Sequence, residues 1–329
     1  MFHKQSDFKH LMQLICILSG TCLLLLAGPS AAQDYPVRSI RIVVAFPAGA
    51  PSDLLTRIVA EKFREAWGQT VVVENRGGAG GTIAAQTVAR SPADGYNLLV
   101  ISSAFAVSAT LYKDPGYDSV KDLIPVARIA ATPNSIFVHP SVPARNLKEL
   151  IALARKHPMS FSSSGTGTTP HLTGYAVFRM LGKTDMVHVP HTPASAPIAV
   201  VGGHVPVGVS AMTLTIPLHK AGRLRVLAVT STKRTSFLPD VPTVIESGFE
   251  GIDHYTWFAF FAPAGVPAAI VEKLNAEINR ISGLPDVRER FATLGVEASP
   301  NTVREFGDYV RSEIVKWGRL VKESGARPD

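Results

Sequence analysis

Two hydrophobic periods alternate along the chain. Short β-branched runs at 40–46, 71–74 and 97–102 are separated by stretches at 54–67 and 82–89 that carry helical spacing. This βαβαβ order predicts a parallel sheet with helices on its faces. Within 54–67, Leu55, Ile58, Val59, Phe63 and Ala66 fall on one face, and Arg57, Glu61, Lys62 and Glu65 on the other. A second set starts with a strand at 135–139 and a helix from Asn146, whose side chain can cap while Glu149 reaches back. Strands follow at 160–163, 186–189, 205–210 and 225–230. A helix opens at Pro170, where a missing N–H leaves nothing unsatisfied. Residues 256–261 read as a strand, and 270–281 and 303–323 as helices. The last has Thr302 and Glu305 at capping-box spacing and Gly325 as its stop. With no repeat and no low-complexity linker, the prediction is a two-lobed α/β fold, each lobe a mostly parallel sheet flanked by helices. Lobe 1 comprises 33–131 and 255–329, and lobe 2 comprises 132–254.

The first 32 residues change this picture. Lys4 and Lys9 precede an apolar run from Leu11 to Ala27, then Gly-Pro and the small residues Ser30, Ala31 and Ala32. That is the layout of a cleaved secretory signal, with the cut after Ala32. A retained anchor would need about 20 predominantly apolar residues, and Gln13, Ser19, Gly20 and Thr21 interrupt the run. Both cysteines, Cys16 and Cys22, lie inside it, so the exported chain would carry no thiol or disulfide. Lipid attachment at Cys22 is the minor alternative. The formal charge of +7 falls by one to +6 without the signal, a bias that favours anions through the long-range field. Lysines and arginines are scattered singly, so no nucleic-acid partner is expected.

Candidate chemistry sits in three loops that follow predicted strands: Phe46 to Asp53, Gly77 to Thr82, and Ser162 to Thr169. In open α/β sheets, ligands bind beyond the carboxyl ends of the strands. Helix N-termini there offer free N–H groups to an anion. The bland reading is that the glycines only make tight turns; the combination of loops favours a carboxylate cleft. Ile83 stands where a dinucleotide fingerprint needs its third glycine, and no Walker lysine follows either glycine-rich loop, so no cofactor is expected. No G-x-S-x-G elbow is present. Asp53 and Glu74 read as a helix-start and a strand-end residue. His188 and His191 flank Pro190 and have no evident third metal ligand. His171 is either a ligand donor or a surface histidine, and Trp257 and Phe258 read as core or hinge packing.

At these loops the sequence resembles the tripartite tricarboxylate transporter substrate-binding family, also called the Bug family of periplasmic receptors. The resemblance runs from Tyr35 to the C-terminus and is carried by YPVRSIRIVVAFPAGAPSD, GQTVVVENRGGAGGTIAAQTVARSPADGYNLL, KDLIPVARIA, FSSSGTGTTPHLTG, HVPH, LRVLAVTSTKR, LPDVPTVIESGF and KWGRLVKESG. It implies a periplasmic-binding-protein (Venus flytrap) fold that closes on a small carboxylate and delivers it to membrane permease subunits, without cofactor or catalysis. Carried over by motif, Phe46, Ala48, Gly49, Ser52 and Asp53, with Gly80 and Ser102 nearby, would come from the first lobe. Ser164, Thr166, Gly167, Thr168 and His171 would come from the second, with His191 beside them. The sequence departs from the family pattern at Ala50-Pro51-Ser52, which stiffens the first loop, and at His191-Thr192-Pro193. It also lacks the usual acid around Val209-Ser210-Ala211-Met212, which disfavours ligands with an ammonium group.

The expected protein is therefore an exported monomeric receptor rather than an enzyme; a ligand-presenting sensory receptor and a periplasmic hydrolase are the competing readings. Expression with the leader intact should yield a chain beginning near Gln33, read by intact-mass spectrometry, and an uncut N-terminus or a lipid on Cys22 would contradict it.

Overall fold

The computed structural model describes residues 35–328, and the proposed signal lies outside them. Residues from Arg38 onward form one compact unit. It opens with β1 (Ile40–Val44), α1 (Pro51–Trp67), β2 (Val71–Asn75), α2 (Thr82–Ala89), β3 (Asn97–Ser102) and α3 (Ala104–Leu111). Strands β2, β1 and β3 pair in parallel, the predicted βαβαβ order. Helix α1 begins at Pro51, three residues before its apolar stripe, and Gly68 ends it with φ +64°. Pro51 thus occupies a first-turn position, where its fixed φ suits the helix.

Strand β4 (Leu123–Val138) is three times longer than the segment its pattern suggested. Its sequence LIPVARIAATPN contains two prolines and does not alternate, because bulges at Val126 and Ile129 each change the face that the following residues occupy. Strands β5 (Ser160–Ser163), β6 (Val187–Pro190), β7 (Val207–Ala211) and β8 (Arg225–Val229) follow. Between them lie α4 (Leu147–Lys156), α5 (Thr169–Gly174), which continues as a π-helical turn over Tyr175–Leu181, α6 (Ser195–Val201) and α7 (Ile216–Lys220). The chain returns along β9 (Tyr255–Pro263), then α8 (Ala268–Gly283), α9 (Pro285–Thr293), β10 (Glu297–Ala298) and α10 (Val303–Ser324). Asn146 accepts the Glu149 N–H at 2.9 Å, and Thr302 with Glu305 closes a full capping box.

The strand order is β2-β1-β3-β9-β4-β7-β5-β6, with β8 and β10 also on β4. Pairing is parallel at β7-β5-β6 as well and antiparallel wherever β4 or β9 takes part in the centre. The first part of β4, to Pro133, pairs with β9; the last, from Asn134, pairs with β7 and β8. The two halves of the sheet meet there.

That junction is polar and buried. Asn134, fully buried, accepts from Thr256 Oγ1 at 2.8 Å and donates from Nδ2 to Thr173 Oγ1 at 3.2 Å. Thr173 Oγ1 lies 3.1 Å from His254 Nδ1. Thr256 Oγ1 lies 2.8 Å from Thr169 Oγ1, which is 3.2 Å from Ser103 Oγ. Buried polar groups left without such partners would each cost about 1–3 kcal/mol. Behind β9, Glu313 on α10 accepts the indole N–H groups of both Trp257 and Trp317, at 3.0 and 2.7 Å.

Burial, then the nearby charges of Lys316 and Arg319, pulls the His254 pKa down from 6.5 to about 3. The unfolded chain therefore binds a proton first as pH falls. The stability contributed is complete above pH 6.5 and is lost progressively from there towards pH 3. His254→Gln should make unfolding free energy shallower against pH across that window by up to about 1.4 kcal/mol per pH unit, measured by urea denaturation. An unchanged slope would show that His254 is not held neutral in the folded protein.

Candidate functional site

The junction opens into a cleft of about 420 Å3, counted to its mouth. From the first half come Phe46 in the loop after β1, Pro51 and Ser52 in the first turn of α1, Ser102 at the end of β3, and Thr256 and Phe258 on β9. From the second come Ser164, Thr168, Thr169 and Pro170 at the start of α5, with Pro193, Ala211 and Leu214. Among the described residues no ionisable side chain lines it. Three helices, α1, α3 and α5, begin at its wall, so its polarity comes from hydroxyls and from the partial positive charge of helix starts.

The donors differ in availability. Ser102 Oγ accepts the Ala104 N–H at 3.2 Å, which leaves its O–H to point elsewhere. Ser164 Oγ lies 3.5 Å from Ser210 Oγ, a weak contact. Thr168 Oγ1 donates to the Gly165 carbonyl at 2.7 Å and so uses its proton inside the loop. Ser52 is at the second position of α1, behind the N-cap Ala50, and no side-chain hydrogen bond caps the helix. The Asp53 and Leu54 N–H groups bond to Ala50 O and Pro51 has none, so the Ser52 N–H is left over in that turn.

Of the thirteen residues singled out in the sequence, Phe46, Ser52, Ser102, Ser164 and Thr168 line this cleft, and the others lie off its wall. Asp53 sits beneath the first loop, where it accepts from Gly49 N and Asn75 Nδ2 at 2.9 Å each and pairs with Arg57 at 3.0 Å. Burial pushes its pKa up, but Arg57, the Gly49 N–H and Asn75 outweigh this and hold the carboxyl below its ordinary range. Asp53 therefore braces the loop against β2, while Ala48 and Gly49 are exposed on its outside. Gly80 packs near Tyr112 in the short 3-10 turn before α2. Thr166 is half-buried at the tip of its loop. His191 is half-buried, with Nδ1 2.7 Å from the Pro190 carbonyl. His171 faces away: its ring stacks on His188 at 4.0 Å, and its Nδ1 accepts the Gly167 N–H at 3.3 Å. Burial, and then the proximity of His171 and His191, lowers the His188 pKa to about 3, and its Nε2 lies 2.7 Å from Ser163 Oγ. Among the described residues no group of three or more His, Cys, Asp or Glu could hold a metal ion.

Thr256 and Phe258 also line the cleft, outside the residues that the loop motifs singled out. The period-two alternation of the strand over 256–261 places both on one face. Leu214 and Pro193 carried no local signal; only the return of the chain brings them to the cleft.

Two α/β halves joined by crossing strands, with a cleft at their junction, are the architecture of periplasmic binding proteins. The chain belongs to the tripartite tricarboxylate transporter family receptor family, whose profile matches residues 55–326. It is 33% identical to protein BugT of Bordetella pertussis, over 92% of this chain and 94% of that one. Among solved structures it is similar to an R. palustris protein with adipate, at a TM-score of 0.84 and 32% identity, covering 90% of this chain and 100% of that one. It is also similar to MatC from Rhodopseudomonas palustris with bound malate, at 0.81 and 29%, covering 87% and 100%.

Gly167 ties the cleft wall to α3. Its φ is +74°, and an added Cβ would stand 2.1 Å from Leu111 Cδ2. Gly167→Ala should destabilise the protein by about 1–3 kcal/mol from overpacking, with about 1–2 more from the left-handed backbone. Chemical denaturation reads this, and a loss under about 0.5 kcal/mol, the scale of a neutral surface change, would show that the loop repacks freely.

Proposed function

We propose that the cleft captures a small organic acid without an amino group, in the periplasm, and hands it to the membrane permease of a tripartite tricarboxylate transporter. The observation that carries this reading is a cleft with hydroxyl and helix-start donors, no ionisable side chain and no built acid to pair with an ammonium. Such a wall favours an anion by oriented N–H and O–H groups, and its neutrality fits a ligand that must later be released. The adipate and malate found in two relatives are both carboxylates of this kind. In this reading 33–131 and 255–329 form one lobe and 132–254 the other, with Asn134 and His254 at the crossings. Ser102, Ser164 and the Ser52 N–H meet one carboxylate group, and Phe46 and Phe258 enclose the carbon chain. Thr166, Ala48, Gly49, Gly80 and His191 line the loops that move in as the lobes close, while Asp53, Gly167 and His171 hold those loops in place. The exported chain acts as a monomer, without cofactor and without turnover.

A hydrogen bond to a charged group is worth about 1.5–3 kcal/mol. Ser102→Ala and Ser164→Ala should therefore each weaken binding roughly tenfold to a hundredfold, while Thr168→Val should act mainly on loop order. Calorimetry of the purified protein against adipate, malate and glutamate tests this. Tight binding of glutamate alone, or binding of a dicarboxylate undisturbed by both serine variants, would overturn it.

A further inference from the structure

A second cavity, about 1080 Å3 counted to its mouth, lies on the opposite face of the crossing strands. Successive strand residues point to opposite faces, so Tyr255 on β9 faces this groove while Thr256 and Phe258 face the cleft. On β4, Arg128 should by parity share the cleft side with Thr132. A bulge at Ile129, seen as the register step from Arg128↔Ala259 to Ala130↔Phe258, reverses this and sets Arg128 on the rear face with Ala131 and Pro133.

Two polar atoms there lack partners among the described residues. Arg128 lies with its guanidinium carbon 4.3 Å from the centre of the Tyr309 ring, and its Nε is buried without a hydrogen bond. Ser231 is 5% exposed, lines the groove, and its Oγ is likewise buried and unbonded. A buried donor with no acceptor costs about 1–3 kcal/mol, more when charged. Thr230 Oγ1 accepts the Asn134 N–H at 2.8 Å, which sets Ser231 beside the Pro133 end of β4, and Arg128 lies about 15 Å along that strand at the usual rise. Asp253, Glu297 and the exposed Lys233 also line it, with Arg234, which pairs with Glu246 at 3.0 Å. The carboxylates accept hydrogen bonds from hydroxyls, and Lys233 adds a second cation for an anionic group.

We propose that this rear groove is a second ligand site for a small hydroxylated anion of the sugar-acid or sugar-phosphate class. The anionic head is held by the Arg128 guanidinium beside Tyr309, and the hydroxylated tail runs past Asp253 and Glu297 to Ser231. It is distinct from the cleft, because Arg128 and Tyr255, which line it, project from the other face of β4 and β9.

The test titrates the purified protein with glucuronate and with ribose 5-phosphate, following the Arg128 Nε–H resonance, identified by its absence in Arg128→Gln. A saturable shift with at least one probe, retained in the Ser102→Ala/Ser164→Ala cleft variant, is expected. Calorimetry should show affinity lowered about tenfold to a hundredfold in Arg128→Gln and about two- to tenfold in Ser231→Ala. Should Arg128→Gln fail to fold by circular dichroism, the Ser231→Ala affinity decides. No saturable shift with either probe, loss of the shift in the cleft variant, or unchanged affinity in the folded variants would overturn the proposal.

Discussion

Strand β4 belongs to both halves of the sheet, and where it passes from one to the other, at Asn134, it is fully buried. A polar side chain in that position is tolerated only when each of its atoms is bonded. The Asn134 side chain meets the condition through Thr256 from the returning strand and Thr173 from α5, while its backbone N–H donates to Thr230 Oγ1 just after β8. Each partner comes from a different stretch of chain, so satisfying one residue fixes where four elements meet. The cleft is the space left beside that meeting point.

The front and rear of the crossing strands are consequently different surfaces. On the front, hydroxyls and helix starts supply many weak, neutral donors, and the wall carries no fixed charge. On the rear, the bulge at Ile129 delivers a guanidinium, and α10 packs Trp317 and Tyr309 alongside, with Glu313 joining the two indoles. The same ladder of backbone bonds thus separates a charge-free cleft from a charged groove.

Histidines near the site serve structure. His254 closes the junction network and packs its ring 4.7 Å from Trp317. His171 and His188 stack behind α5, where burial keeps His188 neutral at ordinary pH. The first loop is held similarly from below, by Asp53 reaching Gly49, Asn75 and Arg57. In each case a polar residue beside the cleft positions the backbone that faces it.

The α/β class, the parallel βαβαβ opening, the capped helices from Asn146 and Thr302 and the family itself were all legible in the sequence, because they depend on periods and motifs within about twenty residues. The three loops were legible too, since glycine, proline and serine spacings mark strand-to-helix turns locally. Sequence could not distinguish residues that face the cleft, such as Ser102 and Ser164, from neighbours that brace it, such as Asp53 and His171. That choice depends on which way each loop is pulled by distant partners. The length of β4 was hidden as well, because bulges at Val126 and Ile129 break its alternation. The rear position of Arg128 rests on a single extra residue in a ladder whose other strand lies more than a hundred positions away. Local chemistry decided the elements and their caps. Only tertiary pairing, which sets register and therefore the face each side chain occupies, decided the cleft and the groove behind it.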